Sequence, residues 1–350
     1  MFFGFKGEDI CVLLRVRVHT IIRWQVMSKT DDMKAALETR VPAGAVPVWE
    51  MEFHLWDSFS DRHVVLGREF EGLSNAEQQK ALYTNAEIIV SVCRGLNFAA
   101  VTVPGGYWYE APGRLAYYCL PEEARIKQTK ILQKTAADEF MLVAAINAVL
   151  NIPFSRDYEE FCYKLFDAPG QVEQMARSLV AEGIEDMKKF RDVGVEIILN
   201  PADIADNHGV FFNPRHMERF ILPYVREWTG AASQMGLYSI MHTDGNIMAC
   251  IEDLADTDLN AVQSIDPIAG MDMRKARDLV GDRLCLCGNI DGGIMITEGP
   301  RKVYETTREL LLSCKQGGGF VLGTSNICQR EVKPECYRSM IQAWRDHGQY

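Results

Sequence analysis

No stretch of about 18 or more apolar residues runs uninterrupted by charge, so the sequence offers no candidate membrane-spanning helix. Dense runs of lysine and arginine are also missing. With 37 basic against 48 acidic residues, the formal charge of −11 repels phosphate backbones and argues against a nucleic-acid partner. The ten cysteines, at 11, 93, 119, 162, 250, 285, 287, 314, 328 and 336, include no CxxC pair, and no cleavable secretory leader precedes them. They read as thiols of a reducing, cytosolic protein, most of them small buried hydrophobes. Neither a Walker motif nor a dinucleotide fingerprint occurs. The triplet Gly317 to Gly319 precedes a strand instead of opening a helix, which argues against a phosphate loop.

What is present suits a large single core. Apolar residues make up 47% of the 350 and charged residues 24%, so disorder has no compositional support. The length fits a barrel of about 250 residues with extensions. Residues 1–26 carry apolar runs broken by Lys6, Glu8, Asp9, Arg15, Arg17 and Arg23, unlike a signal peptide or a membrane helix. They are expected to be a dispensable extension ahead of Met27, with residues 27–350 forming one domain. SKTDDMKAAL (28–37) reads as a capped helix, and VPVWEMEF from Val46 as the first strand. Ser74 and Glu77 form a capping box for a helix over 74–92, and Asn97 to Tyr109 reads as strand or hairpin.

The second half alternates short apolar runs with amphipathic segments, the cadence of a parallel sheet. Strands are expected at 193–200, 238–242, 260–265, 283–290 and 318–324, followed by helices at 214–235, 247–255, 272–280, 299–315 and 334–346. In a (β/α)8 barrel the chemistry lies where strands end. Those ends hold Glu50, Glu52 and His54; Asp203, Asp206 and Asn207; His242 and Asp244; Asp266; Asn289 and Asp291; and Thr324, Ser325, Asn326 and Cys328. Alternation puts Glu50 and Glu52 on one face, where two like charges in a barrel interior need a cation or a shared proton. Asp244 either joins the site or forms the turn before the next helix. Asp203, Asn207 and Asn289 either bind substrate or cap loops. Cys285 and Cys287 face one side and fill core. His19, His63, His208, His216 and His347 lie in polar contexts and receive no role.

PVWEMEFH (47–54), MHTDGN (241–246), GMDM (270–273), GDRLCLCGNID (281–291) and GGGFVLGTSN (317–326) together resemble the uroporphyrinogen decarboxylase superfamily, over about residues 40–348. The resemblance implies a TIM barrel with an N-terminal helical extension. That superfamily contains haem-pathway decarboxylases and zinc-dependent methyltransferases that work with corrinoid proteins. In the decarboxylases, PVWxMRQAGR supplies arginines for the carboxylates of the tetrapyrrole, and the corresponding positions here hold Glu52 and Trp56. An anionic substrate would meet a carboxylate where it needs a guanidinium. The aspartate that holds the pyrrole nitrogens corresponds to Val92.

The methyltransferase branch is the better likeness. Its His-x-Cys pair and later cysteine bind zinc; the histidine matches His242, Asp244 stands for the first cysteine, and Cys328 lies near the place of the second. The resemblance therefore implies a zinc ion on His242, Asp244 and Cys328. It further implies catalysis by His242, Glu52 and Asp244, and substrate contacts from Glu50, Asp203, Asn207 and Asn289. The expected reaction moves a methyl group from a small compound, such as a methoxylated aromatic, to cobalamin on a partner corrinoid protein, the leaving anion being neutralised by a Lewis or general acid. Trp49, Trp56, Trp108 and Tyr109 suit a flat ring or core packing equally. A tetrapyrrole decarboxylase and a non-catalytic corrinoid-binding protein remain the alternatives.

Overall fold

The computed structural model describes residues 28–350 apart from 105–106, 112–113, 118–119 and 154, and side chains apart from those of 105–119 and 154–156. The expected extension over 1–26 thus lies outside the described residues, as do the side chains of Trp108 and Tyr109. Seven parallel strands form one sheet: β1 (Ala100–Thr102), β4 (Met141–Ala145), β5 (Ile197–Pro201), β8 (Tyr238–His242), β9 (Ala261–Gln263), β10 (Cys285–Ile290) and β11 (Phe320–Thr324), adjacent in that order. Two hairpins, β2 (Tyr107–Ala111) with β3 (Arg114–Tyr117) and β6 (Ala205–Asp206) with β7 (Gly209–Val210), follow β1 and β5.

The segment 46–50 joins the two edges of the sheet. Val48 bridges in parallel to Phe98 and to Leu322. Trp49 N–H donates to Leu322 O (3.0 Å), Leu322 N–H to Pro47 O (2.9 Å) and Ala99 N–H to Val48 O (2.8 Å). Pro47 has no N–H to give, which reduces this first strand to bridges instead of a full ladder. The result is an eight-stranded TIM barrel.

Each strand is followed by a helix on the outside. In chain order these are α2 (Asn75–Leu96), α3 (Glu122–Ala136), α5 (Pro169–Arg191, preceded by α4, Ser155–Asp167), α6 (Leu222–Gln234), α7 (Ile251–Ala255), α8 (Met273–Val280), α9 (Pro300–Cys314) and α10 (Pro334–His347). The capping box expected at Ser74 forms, with Glu77 closing it. The single helix expected over 214–235 is interrupted: a π-turn spans Met217–Ile221 before α6. Pro223 cannot donate to the carbonyl four residues back, and the widened turn absorbs the loss. The helix expected at 247–255 is regular only from Ile251, and the strand expected at 193–200 begins at Ile197. No helix among the described residues is long and apolar enough to cross a membrane.

Alternation along the strands divides the core in two. Trp49, Met51, Val143, Leu199, Ile240, Cys285, Cys287 and Val321 fill the barrel, while Val46, Val48, Ile198, Met241, Leu286 and Leu322 face the helices. α1 (Lys29–Leu37) begins at Ser28, whose hydroxyl accepts the Asp31 N–H. Its Met33, Ala36 and Leu37 join the barrel interior. Lys34 pairs with Glu196 at 3.3 Å, and Tyr238 OH donates to Glu38 just after the helix, at 2.5 Å. Glu196 and Tyr238 sit where β5 and β8 begin, so α1 closes the N-terminal mouth. The hairpins and α4 elaborate the opposite mouth, where the strands end.

Candidate active site

His242 is the last residue of β8 and shares the inward parity of Ile240, so its ring points into the barrel at the C-terminal mouth. It is buried, as is Gln263, its register partner on β9. Gln263 Nε2 donates to Thr324 O at 3.1 Å, which turns Oε1 toward His242 Nδ1 at 2.5 Å. Since Oε1 can only accept, Nδ1 carries the proton, and a ring with no second proton has its lone pair on Nε2. That nitrogen lies 3.7 Å from Asp203 Oδ1 and 3.7 Å from Asp244 Oδ1.

The two carboxylates are held by a backbone N–H and by the loop that follows β11. Asp203 follows β5, the neighbour of β8, and its Oδ1 accepts the Asp244 N–H at 2.8 Å. Asp244 Oδ2 accepts from Asn326 Nδ2 at 2.5 Å, whereas its Oδ1 is buried with no hydrogen-bond partner. Gly245 has φ of +86°, and a side chain there would meet the Ala205 carbonyl carbon at 2.6 Å. Only glycine lets the loop pass this close to the β6–β7 hairpin. Burial pushes the Asp244 carboxyl above its usual range, and Asp203 and Asp266 push the same way against His242 and Asn326.

These atoms fit a cation. One imidazole nitrogen and two carboxylate oxygens lie within 4.8 Å of one another. Ligands about 2.0 Å from a tetrahedral zinc stand roughly 3.3 Å apart, so 3.7 Å requires only a small contraction. The unpartnered Asp244 Oδ1 is the atom such an ion would satisfy. Asp203 is the most exposed of the three, with 45% of its side-chain surface accessible against 6% for His242, and opens the site toward the mouth.

Several expected residues are elsewhere. Glu50 has the outward parity of Val46 and Val48, not that of Trp49 and Met51. It is buried beneath α10, where Tyr337 OH and the Thr324 N–H and hydroxyl donate to it. Glu50, expected to contact substrate, has its carboxylate taken up by these internal donors. Cys328, expected as a ligand, lies apart from the trio. Its backbone pairs with the first strand, through Glu52 O and His54 N, so its thiol packs wholly buried in the outer core and outside the His242 trio. Burial holds that thiol well above the ordinary cysteine range, against the thiolate a ligand needs. Asp203 takes the third place in the trio.

Glu52 is engaged by His54 Nε2 at 3.2 Å, and among the described residues no hydrogen bond or ion pair joins it to the trio. Asn207 occupies the exposed turn of the β6–β7 hairpin. Asn289 Nδ2 donates to Ile265 O at 2.7 Å and lines a groove of about 1000 Å³ with Pro267, Asp291 and Ile294. Gln263 was not among the expected site residues, and Asn326 stood among the strand-end residues without an assigned role. Gln263 carried one signal, a polar residue of inward parity within an apolar strand.

A parallel barrel with an imidazole and two acids converging at the strand ends defines a protein of the enzyme-bearing TIM-barrel class. Comparison narrows this. The uroporphyrinogen decarboxylase (URO-D) family model matches residues 126–347, and the chain belongs to that family. A uroporphyrinogen decarboxylase of Psychromonas ingrahamii is 26% identical over 164 residues, 47% of this chain and 42% of that protein. The alignment thus spans less than half of the relative's length. Among solved structures, a methyltransferase from Methanosarcina mazei superposes with a TM-score of 0.67 at 15% identity, covering 91% of this chain and 99% of that one. That likeness establishes the fold.

Proposed function

We propose that this chain takes a methyl group from a small methylated compound, of the methoxylated aromatic kind, and passes it to cobalamin carried by a separate corrinoid protein, with zinc held by Asp203, His242 and Asp244. The observation that carries the reading is His242 Nε2, 3.7 Å from each of two carboxylate oxygens, one of them buried and unpartnered. When bound, zinc would supply the Lewis acidity that neutralises the departing oxyanion. Asp203 and Asp244 together would cancel the charge of the dication, and the open side at Asp203 admits the methylated oxygen. Asn326 orients Asp244 through Oδ2, leaving Oδ1 for the ion. The absence of thiolates fits a borderline-hard ion on nitrogen and oxygen donors.

Decarboxylation of a tetrapyrrole is the second reading, favoured by the name of the Psychromonas relative. Against it stand Glu52 and the buried Trp56 at the positions that resemble the substrate arginines. One anoxic experiment separates the two. Zinc-loaded protein, cob(I)alamin and a methoxylated benzoate are expected to yield methylcobalamin by its absorption spectrum, and His242→Ala to yield none and to lose the metal. No metal in wild type, no methyl transfer, and carbon dioxide released from uroporphyrinogen would overturn the proposal in favour of the decarboxylase.

A further inference from the structure

We propose that Gln263 is the positioning residue of this site: clamped between Thr324 O and His242 Nδ1, its side-chain amide holds His242 as the Nδ1–H tautomer and thereby presents the Nε2 lone pair to a cation. The inference rests on the metal-binding reading above and deepens it. Three observations carry it. The amide can sit only one way round, because the Thr324 carbonyl accepts and must face the NH2 group at 3.1 Å. The remaining oxygen lies 2.5 Å from Nδ1, a distance that a donor on both sides would not allow. Gln263 and His242 are 2% and 5% exposed, so water has no ready access to replace either bond.

The clamp also has a reason in the barrel. β9 lies next to β8, and the register places Gln263 directly opposite His242, both of inward parity. Thr324 ends β11, two strands further round, so the amide ties the ring to a strand that is not its neighbour. An apolar residue at 263 would leave Nδ1 without an acceptor and the Thr324 carbonyl without its donor. The ring would then be free to carry its proton on Nε2, the nitrogen that faces Asp203 and Asp244, and would have to give up that proton before ligating through it. Partners of a ligating histidine change metal affinity by about ten- to a hundredfold.

The test uses metal-free full chain labelled with 15N-histidine, at mildly alkaline pH, with the two-bond proton–nitrogen correlation reading the tautomer directly. The His242 signals are those missing in His242→Ala. Wild type is expected to show a protonated Nδ1 and an unprotonated Nε2. Gln263→Met is expected to lose that single form and to bind zinc about ten- to a hundredfold more weakly. Gln263→Glu, which retains the acceptor, is expected to keep the wild-type tautomer and serves as the test should the methionine variant not fold. An Nε2–H ring in wild type, a changed tautomer in Gln263→Glu, or a methionine variant with wild-type signals would overturn the proposal. Weaker zinc binding with the tautomer unchanged would overturn it too, leaving Gln263 a packing role. Wild type that binds no zinc would sink the metal-binding reading alone, because the tautomer is read without metal.

Discussion

Glu50 offers a stability measurement that isolates one buried carboxyl. Its oxygens accept from Tyr337 OH at 2.9 Å, from the Thr324 N–H at 3.1 Å and from the Thr324 hydroxyl. Burial nevertheless outweighs these donors and raises its pKa from 4.5 to about 7. A raised acid binds its proton more tightly in the folded state, so the folded protein has this contribution in full below the unfolded value and loses it as pH rises through about 7. Between about pH 5 and about pH 8 the loss amounts to roughly 2.5 kcal/mol. Urea unfolding followed by tryptophan fluorescence, on wild type and Glu50→Gln across that range, would read it as a difference. Every other titrating group cancels between the two proteins. The glutamine forfeits about 1 kcal/mol of hydrogen bonding at any pH, an offset without slope. The variant is therefore expected to gain about 2.5 kcal/mol on wild type from the acid to the alkaline end. A difference flat to within about 0.5 kcal/mol would refute the claim that burial dominates at this carboxyl, and the opposite slope would mean that the ionised form is the favoured one.

Replacing Asp203 or Asp244 by asparagine removes a negative ligand, and each is expected to weaken zinc binding at least a hundredfold by competition with a chromogenic chelator, more than an outer partner would. Because the Asp244 carboxyl is raised by burial, zinc should leave the protein as pH falls at a higher pH than an ordinary aspartate site would release it; titration of affinity against pH checks the direction. Cys328→Ala should retain wild-type zinc by elemental mass spectrometry while losing about 1 to 2 kcal/mol of stability from the cavity under α10, and a loss of metal would restore the cysteine to the ligand set. Gly245→Ala forces a side chain into positive φ against the Ala205 backbone, and should cost about 2 kcal/mol or more and weaken zinc binding by moving Asp244.

How much of this was legible in the sequence depended on whether neighbours along the chain or neighbours in space decided the matter. YSIMH was readable to the residue because its apolar run ends at His242 and a glycine follows shortly, both local signals. The capping box at Ser74 was readable for the same reason. Alternation along the first strand sets Glu50 with Val46 and Val48. What parity cannot say is which face looks inward, because a strand buried on both sides is apolar on both. The indoles and thioethers of Trp49 and Met51 fill the barrel, which sends Glu50 to the helix layer. Which residues gather around His242 turns on the same step. Cys328 stands close in sequence to the expected position, but its backbone is drawn to the first strand by Phe53. Asp203, 39 residues before His242 in the sequence, lies at the end of the strand that pairs with β8. Strand order, not spacing, brings a ligand within reach, and strand order around a closed barrel is a property of the whole chain. A histidine at a strand end therefore asks first for the polar residues that end the strands paired with its own, which here are Asp203 on one side and Gln263 on the other.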